Sequence, residues 1–159
     1  ALIAARAGAW RVVATDNNPR AVENARINAE RLGLSRVIQT RGPGHLFDPV
    51  AGEKFDVIMF NPPWIEGRPM TLYDTAIYDP EYRIIEEFIR RAPEHLVEDG
   101  VILLQYSDIS EKRGGGTVTR LRGIIAESAL TICHTDRIAR VSRLTAMREN
   151  VFLFQLRMK

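Results

Sequence analysis

Cysteine is almost absent: Cys133 is the single one in 159 residues. An internal disulfide is therefore excluded, and no thiolate cluster is available for a structural metal. Histidine is equally sparse, and His45, His95 and His134 show no spacing that would bring them to one metal ion. No stretch approaches the roughly 18 uninterrupted apolar residues of a membrane-spanning helix, and no basic, apolar, small-residue leader precedes the first element. The expectation is a cytoplasmic protein with no membrane partner. Charge of one sign is lacking too. A formal net charge of +2 is too small to imply by itself a nucleic-acid partner. Internal repeats and low-complexity linkers are missing, which excludes solenoids and leaves no boundary at which to divide the chain.

What is present is an ordinary globular composition. Apolar residues make up 45% and charged residues 26%, enough to bury a core and too apolar for disorder. A single domain covering residues 1–159 is expected. The charge is unevenly spread: acids dominate 74–111, whereas Lys112, Arg113, Arg120, Arg122, Arg137, Arg140, Arg143, Arg148 and Arg157 outnumber Glu127, Asp136 and Glu149. This basic third reads as a solvated face or as a surface for an anionic partner. The opening "ALIAARAGAW" reads as a helix closing at Gly8. Because the chain starts at Ala1 inside that pattern, it is expected to be the N-terminally incomplete part of a longer protein.

Alternation then sets the fold class. "RVVATD" is a short apolar strand ending at Asp16, followed by the turn "NNP" and a helix over 19–32 that Gly33 terminates. "RVIQT" is a second strand. A Gly and Pro loop leads to "FDVIMF", an almost unbroken apolar run that reads as buried strand. A helix is predicted over 80–96 with Asp79 as N-cap and Pro80 in its first turn, then another buried strand, "DGVILLQYS". "RGGGT" at 113–117 is a turn and 117–128 a helix. "ALTICHTDRIARV" and "NVFLFQLRMK" are strands joined by a connection too short for a crossover, hence an antiparallel hairpin. The pattern implies an α/β fold, a mainly parallel sheet with helices on both faces and an antiparallel C-terminal edge hairpin.

In such a sheet ligands collect beyond the carboxyl ends of the strands, where Asp16 and Asn61 both stand. Asp16 has the position of a carboxylate that accepts the two hydroxyls of a ribose; equally, it can be a helix cap or turn former, a role that Asn17 or Asn18 would serve as well. Asn61, Pro62, Pro63 and Trp64 form the sharper signal. A planar amino or amide nitrogen carries two N–H donors, and the Asn61 side-chain oxygen and the Pro62 carbonyl could accept one each. Two prolines fix φ and remove competing donors, and Trp64 offers a flat face for stacking. The plain alternative is a strand-ending turn with a core tryptophan. Tyr73, Asp74, Tyr78 and Asp79 lie in the following segment, where a loop over the substrate would sit.

The order "ATDNNPRAVENARINAERLGL", "GHLFDPVAGEKFDVIMFNPPW" and "LVEDGVILLQYS" resembles the Rossmann-like S-adenosylmethionine-dependent methyltransferases. Within them it resembles the Asn-Pro-Pro-aromatic group, which includes release-factor glutamine methyltransferases and amino-methyltransferases of DNA or RNA bases. The resemblance runs to about residue 107. It implies S-adenosylmethionine as cofactor, a protein or nucleic-acid substrate, and methyl transfer to a planar nitrogen. It places Asp16, Asn17, His45, Leu46 and Asn61 at the cofactor, and Asn61, Pro62, Pro63 and Trp64 at the acceptor. Two features depart from it. The family's first strand and glycine-rich cofactor loop are missing from this chain, and His45 stands where relatives often carry Asp. These departures motivate the alternative of a catalytically incompetent, methyltransferase-like binding or scaffold fragment. A nicotinamide-dependent oxidoreductase would also use an acid such as Asp16, but it gives no reason for residues 61–64.

Overall fold

The computed structural model describes residues 1–109, 111, 117–141 and 148–159. The turn expected at 113–117 lies outside this set except for Thr117. So do Lys112, Arg113, Arg143 and the connection at 142–147. The chain divides into two compact units, Ala1–Glu53 and Lys54–Lys159.

The first unit runs α1 (Leu2–Arg6), β1 (Val12–Thr15), α2 (Pro19–Arg31) and β2 (Ile38–Arg41). Both helices stop where glycine permits a left-handed backbone, at Gly8 with φ 101° and Gly33 with φ 67°. At Gly33 the two orphan carbonyls are satisfied in Schellman fashion: Leu34 N–H donates to the Ala29 carbonyl at 2.8 Å and Gly33 N–H to Glu30 at 3.0 Å. The start of α2 is fixed by Asn18, whose side-chain oxygen accepts from Arg20 N–H at 2.9 Å, with Pro19 in the first turn. β1 and β2 pair in parallel from Val12↔Ile38 to Thr15↔Arg41. Glu53 forms ion pairs with both Arg11 and Arg41.

The second unit contains β3 (Phe55–Phe60), β4 (Ile65–Glu66), β5 (Tyr78–Asp79), α3 (Arg83–Arg91), β6 (Leu96–Ser107), α4 (Thr117–Glu127), β7 (Leu130–Val141) and β8 (Arg148–Met158). Its main sheet has the order β3-β6-β8-β7. β3 is parallel to β6, while β8 is antiparallel to both β6 and β7, as the C-terminal pattern predicted. Ile102 and Leu104 of β6, Phe154 and Leu156 of β8, and Leu130 are fully buried. α3 carries Ile85, Phe88 and Ile89 at helical spacing, all buried, and Phe88 stacks on Phe60 of β3 at 4.3 Å. Each such side chain contributes about 1.5–3 kcal/mol on leaving water. No described helix is long and apolar enough to cross a membrane.

Two expectations need correction. "FDVIMF" is not a buried strand: Val57 is 48% and Met59 63% exposed. β3 is an edge strand of its described sheet; Ile58 is buried and Phe60 stacks on Phe88 of α3. The helix expected over 80–96 is also broken. Residues 80–82 form a separate 3-10 turn, α3 covers Arg83–Arg91, and Ala92–His95 is again 3-10. Glu81 and Tyr82 take φ of 56° and 62°, values that an α-helix excludes and that no sequence periodicity reveals.

Candidate functional site

Asp16 follows the last residue of β1 and is exposed. Its Oδ1 accepts from Asn18 N–H at 2.8 Å, an Asx turn that steers the chain into α2. Among the described residues Oδ2 has no hydrogen-bond donor. Asn18, not Asp16 or Asn17, caps the helix, so the capping alternative for Asp16 is answered by its neighbour. Asn17 is exposed.

The loop after β2 returns to this strand end. Gly44 N–H donates to the Asp16 carbonyl at 3.1 Å, which brings Asp16 and the segment carrying His45 and Leu46 together. The close fit requires glycine. A Cβ on Gly42 would lie 3.1 Å from the Asp16 carbonyl oxygen, and one on Gly44 only 2.5 Å from Pro49 Cγ. Leu46 has φ 44° and is half-buried, while His45 is exposed and its carbonyl accepts from Asp48 N–H at 2.9 Å. An exposed carboxylate with one free oxygen, beside a backbone that glycine keeps bare, fits the hydroxyl-rich sugar end of a nucleoside cofactor.

Asn61, Pro62, Pro63 and Trp64 follow the carboxyl end of β3. Phe60, in register with Leu104, is pinned by Phe88, and the next residue, Asn61, is exposed. Pro62 and Pro63 are buried and Trp64 half-buried. Burial of the two rings anchors the turn, and no described side chain or backbone group hydrogen-bonds the Asn61 amide. A turn that is fixed underneath and polar at its tip can present acceptors to a ligand without rearranging.

Directly after it, β4 pairs in parallel with β5, Ile65↔Tyr78 and Glu66↔Asp79. Asp79 is fully buried, and its two carboxylate oxygens accept from Ile84 N–H at 2.9 Å and Ile85 N–H at 3.0 Å. Asp79 thus caps α3 as expected, but from across the 80–82 turn. Burial pushes its carboxyl above the ordinary range, against the lowering effect of those two N–H groups. Arg120 braces the same turn: its guanidinium lies 4.6 Å from the centre of the Tyr82 ring, and Nη2 donates to the Glu81 carbonyl at 3.3 Å and to Glu86 at 2.7 Å. Tyr106 is fully buried next to this group, and its hydroxyl has no partner among the described residues. Burial, then the Asp79 charge, push the Tyr106 phenol well above its usual value.

Sequence reasoning missed a polar clamp at the end of β6. Asn150 donates through its backbone N–H to Asp108 Oδ1 at 2.7 Å and through Nδ2 to Oδ2 at 2.5 Å, and Asp108 N–H returns to the Asn150 carbonyl at 3.1 Å. Ser107 Oγ donates to the buried Glu149 at 2.9 Å. The signal was available: Asp108 ends an apolar strand as Asp16 and Asn61 do. Among the described residues no group of three His, Cys, Asp or Glu could hold a metal ion.

Known proteins resemble this chain in sequence and in fold. A protein of Methanocaldococcus jannaschii, named provisionally as a protein N5-glutamine methyltransferase, is 35% identical over 125 residues, which are 74% of this chain and 60% of that protein. The release factor glutamine methyltransferase of Pseudomonas aeruginosa is 27% identical over 141 residues, 77% of this chain and 50% of its own length. The chain therefore spans roughly half to three fifths of these relatives. The crystal structure of ribosomal protein L11 methylase from Lactobacillus delbrueckii subsp. bulgaricus superposes with a TM-score of 0.67 at 20% identity. It covers 99% of this chain and 65% of that one, and so shows a shared fold. Residues 1–109 match the methyltransferase small domain, and the chain belongs to that family.

Proposed function

We propose that this chain forms, as one domain over residues 1–159, the catalytic part of an S-adenosylmethionine-dependent N-methyltransferase that acts on a side-chain amide of a protein. Family membership implies S-adenosylmethionine binding, and the cofactor supplies a methyl group already activated as a sulfonium electrophile. Asp16 would hold the ribose hydroxyls, with Asn17, His45 and Leu46 beside the nucleoside. Asn61 Oδ1 and the Pro62 carbonyl would each accept one N–H of the target amide, with Pro63 fixing the turn and Trp64 packing on the amide plane. Accepting both N–H groups in hydrogen bonds would raise electron density on the nitrogen and hold the amide in one orientation. Transfer would form the nitrogen–carbon bond as the carbon–sulfur bond breaks, and the N–H proton given up by the nitrogen would pass to solvent. The names of the glutamine methyltransferase relatives support an amide acceptor over a nucleic-acid base.

The observation that carries this reading is the exposed Asn61 amide on a turn anchored by buried Pro62 and Pro63. The test is Asn61→Ala in the full-length protein, with transfer of a labelled methyl group as the readout. Turnover is expected to fall by about 10²–10³, the scale of losing one aligned polar group at a reacting centre. S-adenosylmethionine affinity should stay within about twofold, because Asn61 acts chiefly on the acceptor. Undiminished turnover would return Asn61 to a turn residue.

A further inference from the structure

Residues 67–77 connect β4 to β5, and their ends are tied together immediately after Trp64. Ile65 N–H donates to the Ile77 carbonyl at 3.1 Å. The Tyr78 ring crosses the neck so closely that a Cβ on Gly67 would lie 2.7 Å from its Cδ1. The result is a compact loop with adjacent ends, of the kind that commonly carries function.

Inside the loop the polar groups serve one another. Asp74 Oδ2 accepts from Met70 N–H at 3.0 Å and Thr71 N–H at 2.8 Å, Asp74 N–H donates to the Thr71 carbonyl at 3.1 Å, and Thr75 Oγ1 donates to Leu72 at 2.7 Å. The outside is apolar: Met70 is 88% exposed, Tyr73 64%, Ile77 46% and Leu72 45%. A loop that orders its own backbone while holding large apolar side chains in water has the composition of an interface core, where aromatic residues and methionine are enriched.

The charge decides the class of partner. Between residues 66 and 77 the sequence carries Glu66 and Asp74 against Arg68. A nucleic-acid ligand draws its affinity from cations placed along its phosphates, and this loop does not supply them. A polypeptide with apolar residues matches it.

We propose that loop 67–77 is the docking surface for the polypeptide that carries the acceptor amide, and that it selects acceptors flanked by apolar side chains. This rests on the amide-methyltransferase reading above. The probe is a random peptide library with a fixed central glutamine, panned on the full-length protein. Enriched peptides are expected to carry apolar residues close to the glutamine. The combined Met70→Ser and Tyr73→Ser variant should bind them at least about tenfold more weakly. Its affinity for S-adenosylmethionine should be unchanged. A second variant, Ile77→Lys, should weaken the same peptides. Binding persisting in Asn61→Ala, where transfer is lost, would separate docking from chemistry. Enriched peptides that are never methylated by the unmodified protein would remove the proposed activity and leave the docking surface standing. Failure to enrich peptides, equal binding by the loop variants, or preference for random single-stranded RNA oligonucleotides would each overturn the proposal.

Discussion

Asp79 has no solvent exposure and still serves two backbone donors of α3, so desolvation and hydrogen bonding act on it in opposite directions. Desolvation wins, and the carboxyl is raised above its ordinary value of 3.8. The sign of the linkage follows. The unfolded chain releases the Asp79 proton first, so the contribution of Asp79 to stability is greatest below pH 3.8 and declines as pH rises through the raised folded value. In urea titrations from below that pH to neutrality, the stability of the native protein relative to Asp79→Asn should therefore fall with increasing pH. A flat or rising difference would mean that the two N–H bonds outweigh burial. Tyr106 belongs to the same neighbourhood; its burial was expected from the buried strand "DGVILLQYS", whereas that of Asp79 was not visible in the sequence. The capping role of Asp79 was legible from the Asp-Pro pair, but its reach over the turn depends on the left-handed Glu81 and Tyr82, which nothing in their residue types announces.

At the scale of elements, legibility followed local chemistry. α2 could be read to within a residue because Asn18, Pro19 and Gly33 act at its ends through their own backbone and side-chain preferences. The late hairpin was legible from strand alternation. The exposure of β3 was not, because an apolar run specifies a strand without saying whether it lies at a sheet edge. The same distinction separates two glycines. Gly123 lies inside α4 and a Cβ there meets nothing within 4 Å, whereas a Cβ on Gly44 would lie 2.5 Å from Pro49 Cγ. Gly123→Ala should stabilise the fold by about 0.5–1 kcal/mol through helix propensity and a less flexible unfolded chain. Gly44→Ala should cost about 1–3 kcal/mol and weaken S-adenosylmethionine binding, because the loop is displaced from Asp16. Denaturant midpoints and calorimetric titration of the two variants check the contrast, and similar outcomes for both would show that the Gly44 loop can yield.

For the whole molecule, the candidate site was legible because it lies at strand ends, where polar residues stand out against apolar runs; Asp16 and Asn61 were found in this way. Their assigned roles differ, and ligand linkage can tell them apart. A ligand that binds only the folded state stabilises it by about 2.7 kcal/mol at a hundredfold excess over its dissociation constant. In a chain of this size that corresponds to a rise in Tm of roughly 5–11 °C. S-adenosylmethionine should produce such a shift in the full-length protein. Asp16→Ala should remove most of it, since the carboxylate is assigned to the ribose. Asn61→Ala should keep most of it while losing methyl transfer, since the amide is assigned to the acceptor. Differential scanning fluorimetry of the three proteins with and without the cofactor measures all three outcomes. If both variants kept the shift, Asp16 would revert to a turn residue; if both lost it, Asn61 would be a cofactor ligand and the division of labour proposed for the two strand ends would fail.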